Sequence, residues 1–177
     1  MHTKAKKIAL SGLMLAMTVV FISLGSVIEM NTLFLLAAAS YFVGIVIREF
    51  KIQTGAAFYL AGVLLGFIVA PNKLYVIFYA MMGMYILLTE IAWERLGKAD
   101  AAKPRKIILW IVKYVIFNFM FLTAVFGFGE IIFARKMSMK ILALIVLAGQ
   151  VGIYLFDRAY CYVQFNIWNK LRGKLLY

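Results

Sequence analysis

The chain has 177 residues, of which 66% are hydrophobic, and a formal net charge of +12. Soluble domains contain about 45–50% apolar residues, so this composition excludes an ordinary soluble protein and favours a membrane protein. The single cysteine, Cys161, excludes an intrachain disulfide. The single histidine, His2, excludes a metal centre with several histidines and a histidine-dependent catalytic triad. We expect neither a metal nor a cofactor.

Six apolar segments are long enough, with their flanks, to cross a bilayer, whose ~30 Å hydrocarbon core needs about 20 helical residues. Lipid offers the backbone no hydrogen-bond partner, so each segment must be helical there. We therefore predict an all-α fold, a single polytopic domain over residues 1–177 that is a bundle of six transmembrane helices. The predicted helices cover residues 8–28, 33–47, 54–69, 74–93, 107–128 and 140–156, followed by an amphipathic basic and aromatic tail over 158–177.

The first helix follows three lysines within residues 4–7, an arrangement that also begins signal peptides. Its apolar run is too long for a signal peptide and no A-x-A-like cleavage site closes it, so we predict a retained helix. The small residues Ala9, Gly12 and Ala16 recur at helical spacing and share one face. Such a face lets a second helix approach closely, either within this chain or from a partner protein.

The third and fourth helices carry a close-packing motif and a polar turn. The motif Gly62-x-x-x-Gly66 predicts a tight helix contact, for which we favour a neighbour within the same monomer. Pro71 ends the third helix. Polar and tyrosine side chains near the predicted outer ends of the helices suit a small-molecule pocket, and they suit an interfacial tyrosine belt equally well. The predicted ligand-binding residues on this side are Glu29, Asn31, Asn72, Lys73, Tyr75 and Tyr79.

Residues 95–106 are polar and small, and we predict a flexible linker there. Beyond it, Lys113 interrupts the fifth apolar segment, and Glu90 and Glu94 lie one turn apart near the end of the fourth. We predict that Lys113 forms an intramembrane ion pair with Glu90 or Glu94. The alternative is a proton or ion relay, because charges inside a membrane are often functional.

Asn118 and Gln150 are the deepest polar side chains of the fifth and sixth helices. We predict a hydrogen bond between them that joins the two helices. The alternative is that both line a ligand cavity.

Basic residues are distributed unevenly along the chain. With the N-terminus in the cytoplasm, fourteen of the 19 Lys and Arg residues fall in cytoplasmic stretches and four in outer ones. This is the positive-inside pattern, and it predicts a multi-pass protein of the cell membrane, such as a bacterial inner membrane, with both termini in the cytoplasm. The net charge then indicates contact with anionic lipid rather than with nucleic acid.

Three short motifs mark the first four helices: the basic entry to a small-residue helix over residues 6–16, Gly55-Ala56 after an inner turn, and Pro71-Asn72-Lys73-Leu74 before an aromatic helix. In this order they resemble the substrate-binding S components of energy-coupling factor (ECF) transporters. The resemblance covers most of the chain. The chain departs from that pattern in its very short first outer turn.

The resemblance implies a vitamin-like small molecule bound in the outer half of the bundle. It also implies that Ala9, Gly12 and Ala16 dock on a membrane coupling subunit, which works with ATPase subunits. The chain itself contains no P-loop motif, so ATP hydrolysis would belong to those partners.

We therefore predict a substrate-binding membrane subunit of an ECF uptake transporter. The alternative is a self-contained, oligomeric channel or permease. We predict no enzymatic activity, because no aspartate falls inside a predicted span and the common catalytic groups are missing. The predicted partners are membrane lipid, a small-molecule ligand, and coupling and ATPase subunits, with no nucleic acid.

Overall fold

The computed structural model of the chain describes residues 2–97, 105–133 and 138–176. Most of the predicted linker, residues 98–104, lies outside this part. The described residues are almost entirely helical, and six helices are long and apolar enough to cross a membrane. The all-α prediction is confirmed. The helices are α1 (His2–Val27), α2 (Thr32–Phe50), α3 (Ile52–Val69), α4 (Lys73–Gly97), α5 (Arg105–Phe133), α6 (Met139–Tyr162) and α7 (Asn169–Leu176), with a 3₁₀ turn at Glu29–Asn31 and a π-helical segment at Val163–Trp168.

Successive helices alternate in direction. Asn118 bonds Gln150 and Lys113 bonds Asp157, and this crossing order makes α5 and α6 antiparallel. Arg48 bonds Glu90 near the last turns of both α2 and α4, so those two helices are parallel. We call the end of the bundle at which α1 begins and α7 ends the terminal end. The far end carries the turns between α1 and α2 and between α3 and α4.

Helices α1 to α4 form the densely packed part of the bundle. Two clusters of buried side chains fill it, and Ile22, Leu36, Val46 and Ile86 are among their fully buried members. Since lipid is as apolar as these side chains, their close fit rather than the exclusion of water holds the helices together.

Glycines let α3 and α4 approach each other. A Cβ on Gly62 would meet the Tyr79 hydroxyl at 2.5 Å, and one on Gly66 would meet Val76 at 3.1 Å. The predicted close-packing motif is therefore used within the monomer, as we favoured.

The turn between α2 and α3 is a single residue. Helix α2 continues to Phe50, three residues past its predicted end, and Lys51 links it to α3 with φ 101° and ψ 160°. The Lys51 amide still donates to the Ile47 carbonyl at 2.9 Å. This backbone conformation is one that glycine adopts readily and lysine does not.

Helix α6 does not end at residue 156 as predicted. It runs to Tyr162 and continues through the π-helical segment into α7, so that residues 139–173 form one apolar helical stretch. The predicted interfacial tail over 158–177 is packed against protein on one side, with Tyr160, Gln164 and Trp168 buried. Asp157, one residue past the predicted end of the helix, is buried and paired with Lys113 inside the bundle, and the helix continues beyond it.

Candidate functional site

A cavity of about 450 Å³ lies among α2, α4, α5 and α6. Small-molecule sites in proteins commonly have volumes of about 300–1,000 Å³, so this cavity is large enough for a ligand. Its walls come from the first two turns of α2, the first half of α4, the second half of α5 and the middle of α6. Because these helices alternate in direction, the cavity occupies the half of the bundle nearer the far end.

Aromatic and sulfur-containing side chains dominate the cavity walls. Four phenylalanines and three methionines are among the lining residues: Phe78, Phe117, Phe121, Phe156, Met81, Met82 and Met120. Among the described residues that line the cavity, Tyr85 alone carries a side-chain oxygen or nitrogen. The walls therefore offer dispersion contacts over almost their whole surface.

The cavity exists because α6 stands away from α2 on this side. Gly149 lies against the Phe121 ring, where a Cβ would come within 2.6 Å of ring atoms, and Gly152 has no heavy atom within 4 Å of a built Cβ. In the described part of the chain, the hydrogen bonds and ring contacts between α2 and α6 begin only at Tyr41, whose hydroxyl donates to the Phe156 carbonyl at 3.1 Å. The two helices thus meet toward the terminal end.

The floor of the cavity rests on a buried polar cluster. Tyr85 and Phe156 line the cavity, and the Tyr85 hydroxyl lies 3.5 Å from Asp157 Oδ1, to which it donates. The same carboxylate oxygen accepts a bond from Lys113 Nζ at 2.6 Å. This pair joins α5 to α6 directly below the cavity.

A second ion pair completes the cluster. Arg48 approaches Glu90 through two of its nitrogens, with the closest contact at 2.6 Å, and Tyr160 donates to Glu90 at 2.7 Å. One carboxylate therefore binds α2, α4 and α6 together. Nearer the terminal end, Trp168 donates to Glu49 at 2.8 Å and fastens the π-helical segment to α2.

The predicted partner of Lys113 was wrong. Lys113 pairs with Asp157 of α6, Glu90 pairs with Arg48, and Glu94 is exposed one turn further along α4. All of these groups lie at a similar depth. Which groups pair depends on how each helix is rotated about its axis, and the sequence alone does not determine that rotation.

The predicted hydrogen bond between Asn118 and Gln150 is confirmed. Each side chain donates to the other across α5 and α6, at 2.8 and 3.4 Å, and Asn118 also donates to the Tyr114 carbonyl. The two amides thus join helices, and neither lines this cavity, while Asn118 borders a separate pocket of about 510 Å³ on the surface of α5.

The remaining predicted ligand-binding residues do not come together at the cavity. Asn72 accepts a bond from the Leu74 amide, and Lys73 donates to the Ala70 carbonyl at 2.7 Å, so both satisfy local backbone groups. Tyr79 is buried against α3, and none of these side chains lines the cavity. Asn31 is exposed beside α2 and Tyr75 is partly exposed on α4, whereas the Glu29 side chain lies outside the described residues.

The small-residue face of α1 points outward. Ala9, Gly12 and Ala16 are exposed, and a Cβ built on Gly12 meets no heavy atom within 4 Å. The alternative in which this face packs against another helix of the same chain is therefore wrong. Its use as a docking face for a partner stays a prediction.

Comparisons of the chain with models of protein families, with curated proteins and with solved structures find no match. The fold is that of a multi-pass membrane protein with six apolar helices. The cavity and the polar cluster beneath it are therefore the basis for assigning a function.

Proposed function

We propose that this protein is the small-molecule-binding membrane subunit of an uptake transporter, of the kind represented by the ECF S components. The observation that carries the proposal is the cavity of about 450 Å³ among α2, α4, α5 and α6. Close packing leaves few large voids in a membrane bundle, so a cavity of this size beside a densely packed four-helix unit favours a ligand site.

Two further features support this assignment. The cavity lies in the half of the bundle away from the termini, which becomes the outer half when both termini are cytoplasmic, as the basic residues indicate. The exposed face of Ala9, Gly12 and Ala16 leaves a flat helix surface where a coupling subunit could approach the backbone.

A leucine at residue 152 tests the ligand site. Gly152 lines the cavity and a built Cβ meets no heavy atom within 4 Å, so the substitution Gly152→Leu fills cavity volume without an immediate clash. Gly127→Leu is the matched control, because Gly127 is an exposed helical glycine with the same free space and does not line the cavity.

Native mass spectrometry of protein purified gently from its own membranes should show a bound small molecule. The molecule should be present with the wild type and Gly127→Leu and absent with Gly152→Leu, while all three proteins keep the same melting temperature. A cavity that carries no molecule in the wild type, or a molecule that stays bound to Gly152→Leu, would contradict the proposal.

Co-purification separates the transporter subunit from the alternative channel or permease. A subunit should retain a membrane coupling protein and ATPase subunits, and Gly12→Leu should release them without loss of folded monomer. Transport by the purified chain alone in liposomes, without ATP, would instead identify a self-contained permease.

A further inference from the structure

We propose that the ligand is a lipophilic molecule whose extended hydrocarbon chain, acyl or isoprenoid, occupies the cavity and enters sideways from the bilayer between α2 and α6. This inference rests on the function proposed above and narrows its ligand from a vitamin-like molecule to an apolar chain.

The cavity offers a polar ligand almost no hydrogen bonds. Tyr85 is the lining residue with a polar side-chain atom, and its hydroxyl already donates to Asp157, which is itself 2% exposed. A polar molecule would lose its hydrogen bonds to water on entering such walls and gain no replacements. A hydrocarbon chain has no such bonds to lose.

The lining side chains suit a flexible chain. Met81 and Met82 of α4 and Met120 of α5 line the cavity, and methionine side chains adapt their shape to whatever they contact. The Phe117 and Phe121 rings stack 5.0 Å apart on the α5 wall and form a continuous apolar surface. These residues make the cavity apolar and allow it to accept hydrocarbon chains of different shapes.

An apolar path leads from the lipid to the cavity. Between α2 and α6 the described residues form no hydrogen bond or ring contact on the far side of Tyr41. Leu33 of α2 and Gly152 of α6 line the cavity and are both exposed, the former by 66%. A hydrocarbon chain from the bilayer can therefore pass between these helices without crossing a polar group.

Photolabelling in lipid nanodiscs tests this inference. The probe is a palmitate analogue with a mid-chain diazirine, and a second arm uses phosphatidylcholine that carries the same photoactivatable chain. Mass spectrometry then compares label on Met120 and Phe121, which line the cavity, with label on Phe119, which is 75% exposed on the same helix. Phe119 reports ordinary contact with the bilayer.

We expect the palmitate analogue to label Met120 and Phe121, and excess palmitate to reduce this label but not the label on Phe119. Gly152→Phe should lower the cavity label about tenfold relative to Phe119, and Gly127→Phe should leave it unchanged. Cavity label from the palmitate arm alone assigns the site to a free single chain. Equal label from the phosphatidylcholine arm assigns it to the tail of a membrane lipid, and both results support a hydrocarbon occupant.

Val125→Thr provides a second variant that preserves side-chain volume. Val125 is buried in the cavity wall, and its replacement adds a hydroxyl, so competition by palmitate should weaken several-fold. Val151→Thr, on the exposed face of α6, is the control.

Cavity label that excess palmitate does not reduce, or that riboflavin, a water-soluble vitamin, displaces, would overturn the inference. A polar molecule found by native mass spectrometry and lost from Gly152→Leu would also overturn it, while leaving the proposed function intact. If native mass spectrometry finds no copurified molecule and excess palmitate does not reduce the cavity label, both the inference and the proposed function would be overturned.

Discussion

The Tyr160 ring lies directly on the backbone of Gly44, so closely that a Cβ on residue 44 would overlap the phenol hydroxyl. Tyr160 is 3% exposed and its hydroxyl donates to Glu90 at 2.7 Å. The absence of a side chain at residue 44 therefore allows α6 to reach the ion pair between α2 and α4. This contact fixes the terminal half of α6 while the other half borders the cavity.

Gly44→Ala should displace Tyr160 and lower the stability of the bundle by about 1–3 kcal/mol, because the methyl group has no space to occupy. Thermal unfolding of purified protein measures the effect. Gly12→Ala is the control, since Gly12 has free space around it and should tolerate a methyl group. Equal melting temperatures for the two variants would show that Tyr160 can move aside without lowering the stability of the bundle.

Lys113→Met should destabilise the protein by about 3–5 kcal/mol, because it leaves the Asp157 carboxylate buried without its partner. The double variant Lys113→Met with Asp157→Asn should recover much of this loss. A double-mutant cycle from chemical or thermal unfolding gives the coupling between the two sites. If the double variant loses as much as the sum of the single ones, the pair is not coupled. Lys113→Met with Glu90→Gln should show no such recovery, because Glu90 bonds Arg48 instead.

Lys51→Gly should stabilise the protein by about 1 kcal/mol. Lys51 is exposed and has φ 101° and ψ 160°, a region in which a side chain is strained and glycine is not. Lys51→Ala removes the charge and keeps the Cβ, so it should unfold at the wild-type temperature. A Lys51→Ala variant as stable as Lys51→Gly would assign the effect to charge rather than to backbone strain.

The predicted topology places residue 72 outside the cell and residue 101 in the cytoplasm. Single cysteines introduced by Asn72→Cys and Ala101→Cys, each in a Cys161→Ala background, should react with a membrane-impermeant maleimide from opposite sides. Asn72 is exposed at the far end, whereas Ala101 lies in the linker outside the described residues. Labelling of Asn72→Cys from the cytoplasmic side alone would reverse the orientation, and with it the outer position of the cavity.

The helices and one polar contact followed from the sequence for a direct physical reason. Lipid requires every crossing segment to be a helix of a certain length, so apolar length alone places the six helices. Lipid also leaves a buried amide without partners, and Asn118 and Gln150 at matching depths therefore pointed to each other. The predicted end of α6 at residue 156 was too early, because the charged Asp157 that follows it is paired inside the bundle and does not mark the membrane surface.

The cavity could not be read from the sequence. Phe119 faces outward at 75% exposure, while Phe117 and Phe121, two residues away on either side, line the cavity. In a soluble protein the outward position would be polar and the contrast would be visible. In lipid both positions are apolar, so the pattern of polar and apolar residues does not reveal how α5 is rotated about its axis.

Residues 139–173 form one continuous helical stretch, which at about 1.5 Å per residue is much longer than the ~30 Å hydrocarbon core. Gly152, which lines the cavity, and Trp168, which bonds Glu49, therefore belong to the same helical stretch. A stretch of this length extends past the membrane or tilts within it. The contact between Tyr160 and Gly44 lies between these two points of the helix. We therefore expect that a molecule which displaces the helix near Gly152 also changes the protein surface beside Trp168 and Glu49.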